Sequence, residues 1–161
     1  MIKVGDKLPN VTFRTIEDGK MVPHTTDDIF KGKRVVLVGV PGAFTPTCHR
    51  NHVPGFIANA DAIRAKNVDT VAVTAVNDQW VMHNWGEALG GNGKNVWFLA
   101  DPAAEFARAI GLDFDASAGL GGVRSRRYAM LVEDGVVKIL NVEPEAGKAE
   151  VSGAENMIKM L

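Results

Sequence analysis

Two apolar runs constrain the fold of this 161-residue chain more than any other feature. Residues 34–40 read RVVLVGV and residues 68–76 read VDTVAVTAV, and the segment FIANADAIRAK between them has apolar residues at helical spacing. Continuous β-branched runs of this kind are typical of strands that are buried on both faces of a sheet. The sequence therefore predicts two central strands joined through a helix.

Turn signals divide the rest of the chain into further strands. The sequence EDG separates VTFRTI from KMVPHT near the amino terminus and predicts a β-hairpin there. A second EDG separates RRYAMLV from GVVKILNVE and predicts a second hairpin, and NVWFLA is interpreted as another strand. The glycine-rich region 111–126 is expected to be irregular.

Helices are expected between and after these strands. DQWVMHNWGEAL and the final GAENMIKML have helical character, and Asp101 followed by Pro102 is typical of the N-cap and first position of a short helix. Strands alternating with helices indicate an α/β fold with helices on both faces of the sheet. This order is compatible with a thioredoxin-like fold. No linker or repeat interrupts it, so we expect one domain over residues 1–161.

Composition and charge exclude several classes of function. The chain has 18 Lys and Arg against 19 Asp and Glu, a net charge of −1, which gives no reason to expect nucleic acid or an anionic membrane as a partner. No apolar stretch is long enough to span a bilayer, and MIKVGDKLPN lacks an apolar signal core. A single cysteine cannot form an internal disulfide. We therefore expect a reducing compartment, most simply the cytoplasm.

That cysteine, Cys48, lies in the segment PGAFTPTCHRNH, residues 41–52. Thr45 suits the N-cap of a helix and Pro46 its first position, which places Cys48 in the first turn, with a kink expected at Pro54. The free N–H groups of a first turn favour a thiolate, but a helix end contributes only about 0.3–1 kcal/mol. A nearby cation is therefore needed, and arginine is the better candidate because it stays charged.

Four other interpretations of Cys48 are open from the residues alone. The first is an inert buried residue. The second is a metal ligand together with His49 and His52, but this site lacks further ligands, because His24 and His83 are distant in sequence. A cysteine hydrolase with His52 or His83 as base lacks a third group to orient the base. A non-catalytic thioredoxin-like binding or sensing module would have a thiol that reacts with peroxide no faster than free cysteine.

The segment PGAFTPTC resembles the active-site pattern Pro-x-x-x-Thr-x-x-Cys of the peroxiredoxin family, here Pro41, Thr45 and Cys48. The longer run PGAFTPTCHRNHVPGF is similar to the peroxiredoxin 5-like, or type II, subfamily. The likeness continues through VNDQWVMHNWG, LADP, RRYAMLVEDGVVKILNVEP and the last helix, so it covers essentially the whole chain.

The resemblance implies a thioredoxin-like fold with a central mixed β-sheet, and reduction of hydrogen peroxide and alkyl hydroperoxides in an antioxidant, redox-homeostasis role. No metal or flavin cofactor is implied. Cys48 would be the peroxidatic cysteine that becomes a sulfenic acid. Thr45 would hydrogen-bond the peroxide, and Pro41 would shield the thiolate from solvent. An arginine on a later strand would hold the thiolate, and the motif Arg-Tyr-Ala-Met identifies it as Arg127.

Strand alternation prevents Arg126 and Arg127 from facing the same site. We therefore expect Arg126, together with Arg124, to belong to a solvated basic cluster.

Many relatives carry a second, resolving cysteine, and the corresponding positions here are Val151 and Val73. The resemblance therefore implies a single-cysteine form whose sulfenic acid meets an external thiol: glutathione with glutaredoxin first, thioredoxin second. The segment 78–85, with Trp80, Met82 and Trp85, is either simple core or part of a homodimer interface near the active site. The loop 111–123 is expected to flank the pocket rather than to bind phosphate.

Overall fold

The computed structural model describes residues 1–161 and centres on a seven-stranded mixed sheet. In chain order the strands are β1 (Thr12–Glu17), β2 (Lys20–Thr25), β3 (Arg34–Gly39), β4 (Thr70–Ala75), β5 (Trp97–Ala100), β6 (Asp113–Asp115), β7 (Val123–Ser125), β8 (Tyr128–Glu133) and β9 (Val136–Val142). The central sheet has the strand order β2-β1-β5-β4-β3-β8-β9, and β6 and β7 form a separate two-stranded sheet.

Six α-helices cover the two faces of the central sheet. They are α1 (Thr26–Phe30), α2 (Val53–Ala58), α3 (Ala60–Arg64), α4 (Gln79–Leu89), α5 (Glu105–Ala109) and α6 (Ala154–Met160). Helices α2, α3, α4 and α6 share one apolar core, and α1 and α5 share the other. The predicted mixed sheet, amino-terminal hairpin and helices on both faces are confirmed. No helix combines the length and the apolar character that crossing a bilayer requires.

Strand β3 shows why the continuous apolar runs lie at the centre of the sheet. It pairs in parallel with β4 and antiparallel with β8. Val36 and Val38 pack into one core, whereas Val35 and Leu37 pack into the other, and all four are fully buried. Burying such a side chain contributes about 1.5–3 kcal/mol. Both faces of this strand therefore have to be apolar.

Close packing of Gly39 on Tyr128 joins the end of β3 to the start of β8. The two residues are paired in the sheet, and a Cβ atom on Gly39 would overlap the aromatic ring of Tyr128. Only glycine leaves room for the ring. The contact places Arg127, the residue before Tyr128, beside the chain that leaves β3.

Three local predictions were wrong. Asp101 is not the N-cap residue: α5 begins at Glu105, and the Asp101 carboxylate accepts hydrogen bonds from the N–H groups of Phe106 and Ala107 across an intervening turn. The region 111–126 is not wholly irregular, because it contains the β6–β7 hairpin. The helix expected over FIANADAIRAK is interrupted at Asn59, whose φ and ψ of −101° and 10° separate α2 from α3.

Candidate active site

The helical turn that carries Cys48 begins where the sequence predicts. Helical conformation starts at Pro46, and the carbonyl of Thr45 accepts the N–H of His49 at 2.8 Å. The Thr45 hydroxyl donates to the carbonyl of Gly42 at 2.7 Å, so its hydrogen is used within the turn and its lone pairs stay available as acceptors.

Cys48–His52 form a π-helical turn, in which the N–H of Val53 bonds the carbonyl of Cys48 five residues earlier. Pro54 follows at once and has no N–H to donate. A wider turn ahead of a proline is a usual way to accommodate it in a helix. The irregularity expected at Pro54 therefore lies in the turn that holds the cysteine.

The thiol of Cys48 lies against a buried guanidinium. Arg127 Nη2 donates to Cys48 Sγ at 3.1 Å, and the two residues are 2% and 0% exposed. The same guanidinium donates through Nε to the carbonyl of Ala146 at 3.0 Å. Arg126 is exposed and lies over the Phe114 ring, 5.9 Å from its centroid. The prediction that only one of the two arginines faces the cysteine is confirmed.

His52 completes the surroundings of Arg127. Its Nδ1 lies 3.0 Å from Arg127 Nη1, and its Nε2 lies 2.9 Å from the carbonyl of Ser152. Burial lowers the pKa of His52 to about 4, from an ordinary value of 6.5, so the ring is neutral near pH 7. Since arginine has only donors, Nδ1 must be the acceptor and Nε2 must carry the hydrogen.

Pro41 and Phe44 shape the turn that precedes the cysteine. Pro41 is buried just beyond the end of β3. Phe44 has a φ of 62°, a conformation that is unusual for a residue other than glycine, and its ring stacks on His49 at 5.4 Å between centroids. Backbone held in this way tends to cluster at functional sites.

Arg124 is a residue that sequence reasoning missed, because we expected it in a solvated cluster. Its guanidinium donates to the carbonyls of Val76 at 3.3 Å and Leu120 at 3.1 Å. A Cβ atom on Gly42 would lie 3.2 Å from Arg124 Nη1. Arg124 therefore braces the active-site turn against the β6–β7 hairpin, and the basic cluster gave no sequence signal for this role.

The contacts of the histidines disfavour the hydrolase and metal interpretations. Cys48 Sγ bonds an arginine, which cannot act as a general base, and no hydrogen bond joins it to an imidazole. His49 Nδ1 accepts from the indole N–H of Trp85 at 2.9 Å, and both nitrogens of His52 have partners. No three His, Cys, Asp or Glu side chains are grouped to hold a metal ion. His83 lines a separate cavity of about 300 Å³.

The Redoxin family model matches residues 3–158. Peroxiredoxin-2E-2 of Oryza sativa subsp. japonica is 48% identical over 165 residues, covering 99% of this chain and 72% of the relative. Reduced Prx3 of Vibrio vulnificus, solved in complex with H₂O₂, is 48% identical with a TM-score of 0.92 over 99% of each chain. Peroxiredoxin 5 of Alvinella pompejana is 35% identical with a TM-score of 0.84, covering 99% of this chain and 97% of that structure.

The chain is a peroxiredoxin. It belongs to the peroxiredoxin 5-like, type II group in a single-cysteine form, its fold is thioredoxin-like, and it is a thiol peroxidase. The resemblance seen in the sequence is therefore confirmed, and the interpretation as a non-catalytic binding module is wrong.

The expected cytoplasmic location is wrong. The rice relative and peroxiredoxin-2E of Arabidopsis thaliana, which is 46% identical over 165 residues, are both named chloroplastic. The expectation rested on the absence of an internal disulfide. That absence fits any reducing compartment, so it carried no information about which one.

Burial of neutral His52 predicts a loss of stability in acid. As the pH falls, the unfolded chain binds a proton near 6.5, but the folded chain does so only near 4. The contribution of His52 is therefore present above pH 6.5 and is lost between pH 6.5 and 4, by about 3 kcal/mol. Urea unfolding across this range should show a shallower pH dependence for His52→Gln than for the wild type. Parallel pH curves would contradict the assignment.

Proposed function

We propose that this peroxiredoxin reduces hydrogen peroxide and alkyl hydroperoxides through Cys48, in an antioxidant role. The contact between Arg127 Nη2 and Cys48 Sγ at 3.1 Å, with both groups buried, carries the proposal. A charged hydrogen-bond donor fixed at a buried sulfur favours the thiolate. The 48% identical Vibrio vulnificus Prx3, which was solved in complex with H₂O₂, supports the choice of substrate.

Each neighbouring residue has a proposed role. The sulfur attacks one peroxide oxygen, an S–O bond forms as the O–O bond breaks, and the released oxygen leaves as water or an alcohol after taking up a proton. Cys48 is oxidised to a sulfenic acid. Thr45 accepts a hydrogen bond from the hydroperoxide O–H, Pro41 excludes water, and Arg127 stabilises the negative charge that develops. We also infer that residues 1–161 act as one domain, because both cores share the central sheet.

Replacing the two central residues tests the mechanism. Reduced protein is mixed with one equivalent of hydrogen peroxide in a stopped-flow instrument, and the mass of the intact product is measured by mass spectrometry. The wild type should gain one oxygen far faster than free cysteine does, and Cys48→Ser should gain none. Arg127→Gln should oxidise about 10²- to 10³-fold more slowly, as expected when one oxyanion donor is lost. Retained activity in Cys48→Ser would refute the mechanism.

A surface groove over the helical turn that carries Cys48 supports glutathione as the external thiol. The groove has a volume of about 440 Å³, and its lining includes Pro46 and Gly147 together with the charged side chains of Arg50, Lys148 and Glu150. Glutathione carries two carboxylates and one ammonium group, which this pair of cations and one carboxylate complement. Its thiol would attack the sulfur of the Cys48 sulfenic acid, an S–S bond would form as the S–O bond breaks and water leaves, and glutaredoxin would reduce the mixed disulfide. Thioredoxin is the alternative reductant.

The groove predicts where glutathione recognition can be weakened without affecting peroxide. Arg50→Gln combined with Lys148→Gln should raise the KM for glutathione about fivefold, because exposed ion pairs contribute only a small binding free energy. The rate of Cys48 oxidation should not change. The matched control is Lys138→Gln, on exposed β9 surface outside the groove. Turnover with thioredoxin but not with glutathione and glutaredoxin would favour the alternative reductant.

We propose that the protein is a homodimer that covers apolar side chains around the active-site turn. Phe44 and Trp80 are 51% and 52% exposed, and Leu120 is 38% exposed. The N–H of Ala43 bonds the side chain of Asn77, so the turn contacts the chain just before α4. A second copy of this chain is the occupant that would bury these residues. Met82 and Trp85 of the segment 78–85 are fully buried in the core.

Sedimentation equilibrium tests the dimer directly. Wild-type protein at micromolar concentration should sediment with twice the chain mass of 17.3 kDa, and Trp80→Asp should sediment as the monomer because it places a charge in the apolar interface. Met21→Asp is the matched control, since Met21 is also exposed, at 45%, but lies on edge strand β2. A wild type that is monomeric, or a Trp80→Asp variant that still dimerises, would refute this surface.

A further inference from the structure

One loop, residues 143–152 after β9, supplies the partners of both Arg127 and His52. The carbonyl of Ala146 accepts from Arg127 Nε at 3.0 Å, and the carbonyl of Ser152 lies 2.9 Å from His52 Nε2. The orientation of the guanidinium at Cys48 thus depends on how this loop is held.

The two ends of the loop are joined by a buried hydrogen-bonded pair. The N–H and the hydroxyl of Ser152 both donate to Glu143 Oε2, each at 2.6 Å, and the residues are 0% and 2% exposed. The N–H of Glu143 donates to the carbonyl of Arg127 at 3.0 Å. Burial opposes the charged form of Glu143, but the hydrogen bonds from Ser152 hold the pKa of this carboxyl below its usual range. Glu143 is therefore an acceptor only.

This pair reinforces the His52 tautomer that the contact with Arg127 requires. Since the Ser152 hydroxyl hydrogen is committed to Glu143, its oxygen, 3.1 Å from His52 Nε2, offers only lone pairs to the ring. The Ser152 carbonyl also offers only lone pairs. Both acceptors stabilise a hydrogen on Nε2 and leave the lone pair on Nδ1 facing Arg127. In the other tautomer, the N–H of His52 Nδ1 would face the N–H of Arg127 Nη1, and two donors would oppose each other.

We propose that Glu143 and Ser152 are positioning residues for the peroxidatic reaction: they close the loop 143–152 and hold His52 as its Nε2–H tautomer. The neutral ring then accepts from Arg127 Nη1, and Nη2 stays on the sulfur of Cys48. Neither residue touches the sulfur. The inference rests on the proposed roles of Cys48 and Arg127, and it adds two residues that the active-site motif does not contain.

The tautomer of His52 is measurable in the wild-type protein. A long-range ¹H–¹⁵N spectrum of reduced protein near pH 7 resolves the two nitrogens of each of the 4 histidines, and His52 is assigned by the signal that His52→Gln loses. We expect a protonated Nε2 and an unprotonated Nδ1. A protonated Nδ1 would overturn the proposal whatever the activity of the protein.

Ser152→Ala and Glu143→Gln then test the coupling to chemistry. Ser152→Ala removes the hydroxyl but keeps the N–H bond to Glu143. Each variant loosens the loop that places the Ser152 carbonyl on His52 Nε2, so each should admit some of the other His52 tautomer and slow Cys48 oxidation by hydrogen peroxide about 10- to 100-fold, as expected for a slightly misplaced catalytic group. The matched control is Glu133→Gln, which removes the negative charge that faces Arg34 Nε at 2.9 Å at the far end of β8 and should change neither measurement.

Each result of these measurements either supports or overturns the proposed role of Glu143 and Ser152. Wild-type oxidation rates in both variants would overturn the proposal, and so would slow oxidation with an unchanged tautomer, because the loss would then come by another route. If Ser152→Ala does not fold, Glu143→Gln and the wild-type tautomer still decide. A wild type that reacts with peroxide only as fast as free cysteine would refute the proposed function. The tautomer measurement does not depend on that rate, so the two failures can be told apart.

Discussion

A guanidinium removed from water is the constraint on which the rest of the site depends. Placing one charge in a protein interior costs several kcal/mol unless partners replace the lost solvent. Arg127 is 2% exposed, yet none of the chain's four ion pairs includes it. Its partners are the sulfur of Cys48, a neutral imidazole nitrogen of His52 and a backbone carbonyl. An anionic sulfur is the partner that would balance the charge, so the electrostatics of Arg127 and the reactivity of Cys48 are linked.

The order of the strands brings these partners together. β8 lies between β3 and β9 and is antiparallel to both. Tyr128, at the start of β8, therefore pairs with Gly39 at the end of β3 and with Val142 at the end of β9. The segments that follow β3, precede β8 and follow β9 all meet at one edge of the sheet. They carry the cysteine turn, Arg127 and the loop 143–152.

Features encoded by neighbouring residues were predictable, and contacts across the sheet were not. Thr45 and Pro46 specify a helix start locally, and strand alternation separated Arg126 from Arg127. The resemblance, rather than any pattern, selected Arg127 itself. The contact of His52 with Ser152 spans 100 residues, and no local preference encodes it. The prediction that Asp101 is an N-cap residue was wrong for a related reason. An aspartate followed by a proline is typical of an N-cap, but this carboxylate accepts hydrogen bonds from N–H groups five and six residues ahead.

The single-cysteine form makes two opposite demands on the loop 143–152. The proposed oxidation of Cys48 would need the loop to hold Arg127 still, whereas an external thiol would have to reach a sulfur that is fully buried. The buried Glu143–Ser152 pair at the loop ends serves the first demand. On the groove side, the contact with the cysteine helix is one exposed hydrogen bond, from the Thr47 hydroxyl to the carbonyl of Gly147 at 2.8 Å. Such a bond contributes only about 0.5–1.5 kcal/mol. The same stretch also holds Arg127 through the carbonyl of Ala146, so moving the middle of the loop to admit a thiol would release the guanidinium from one of its partners.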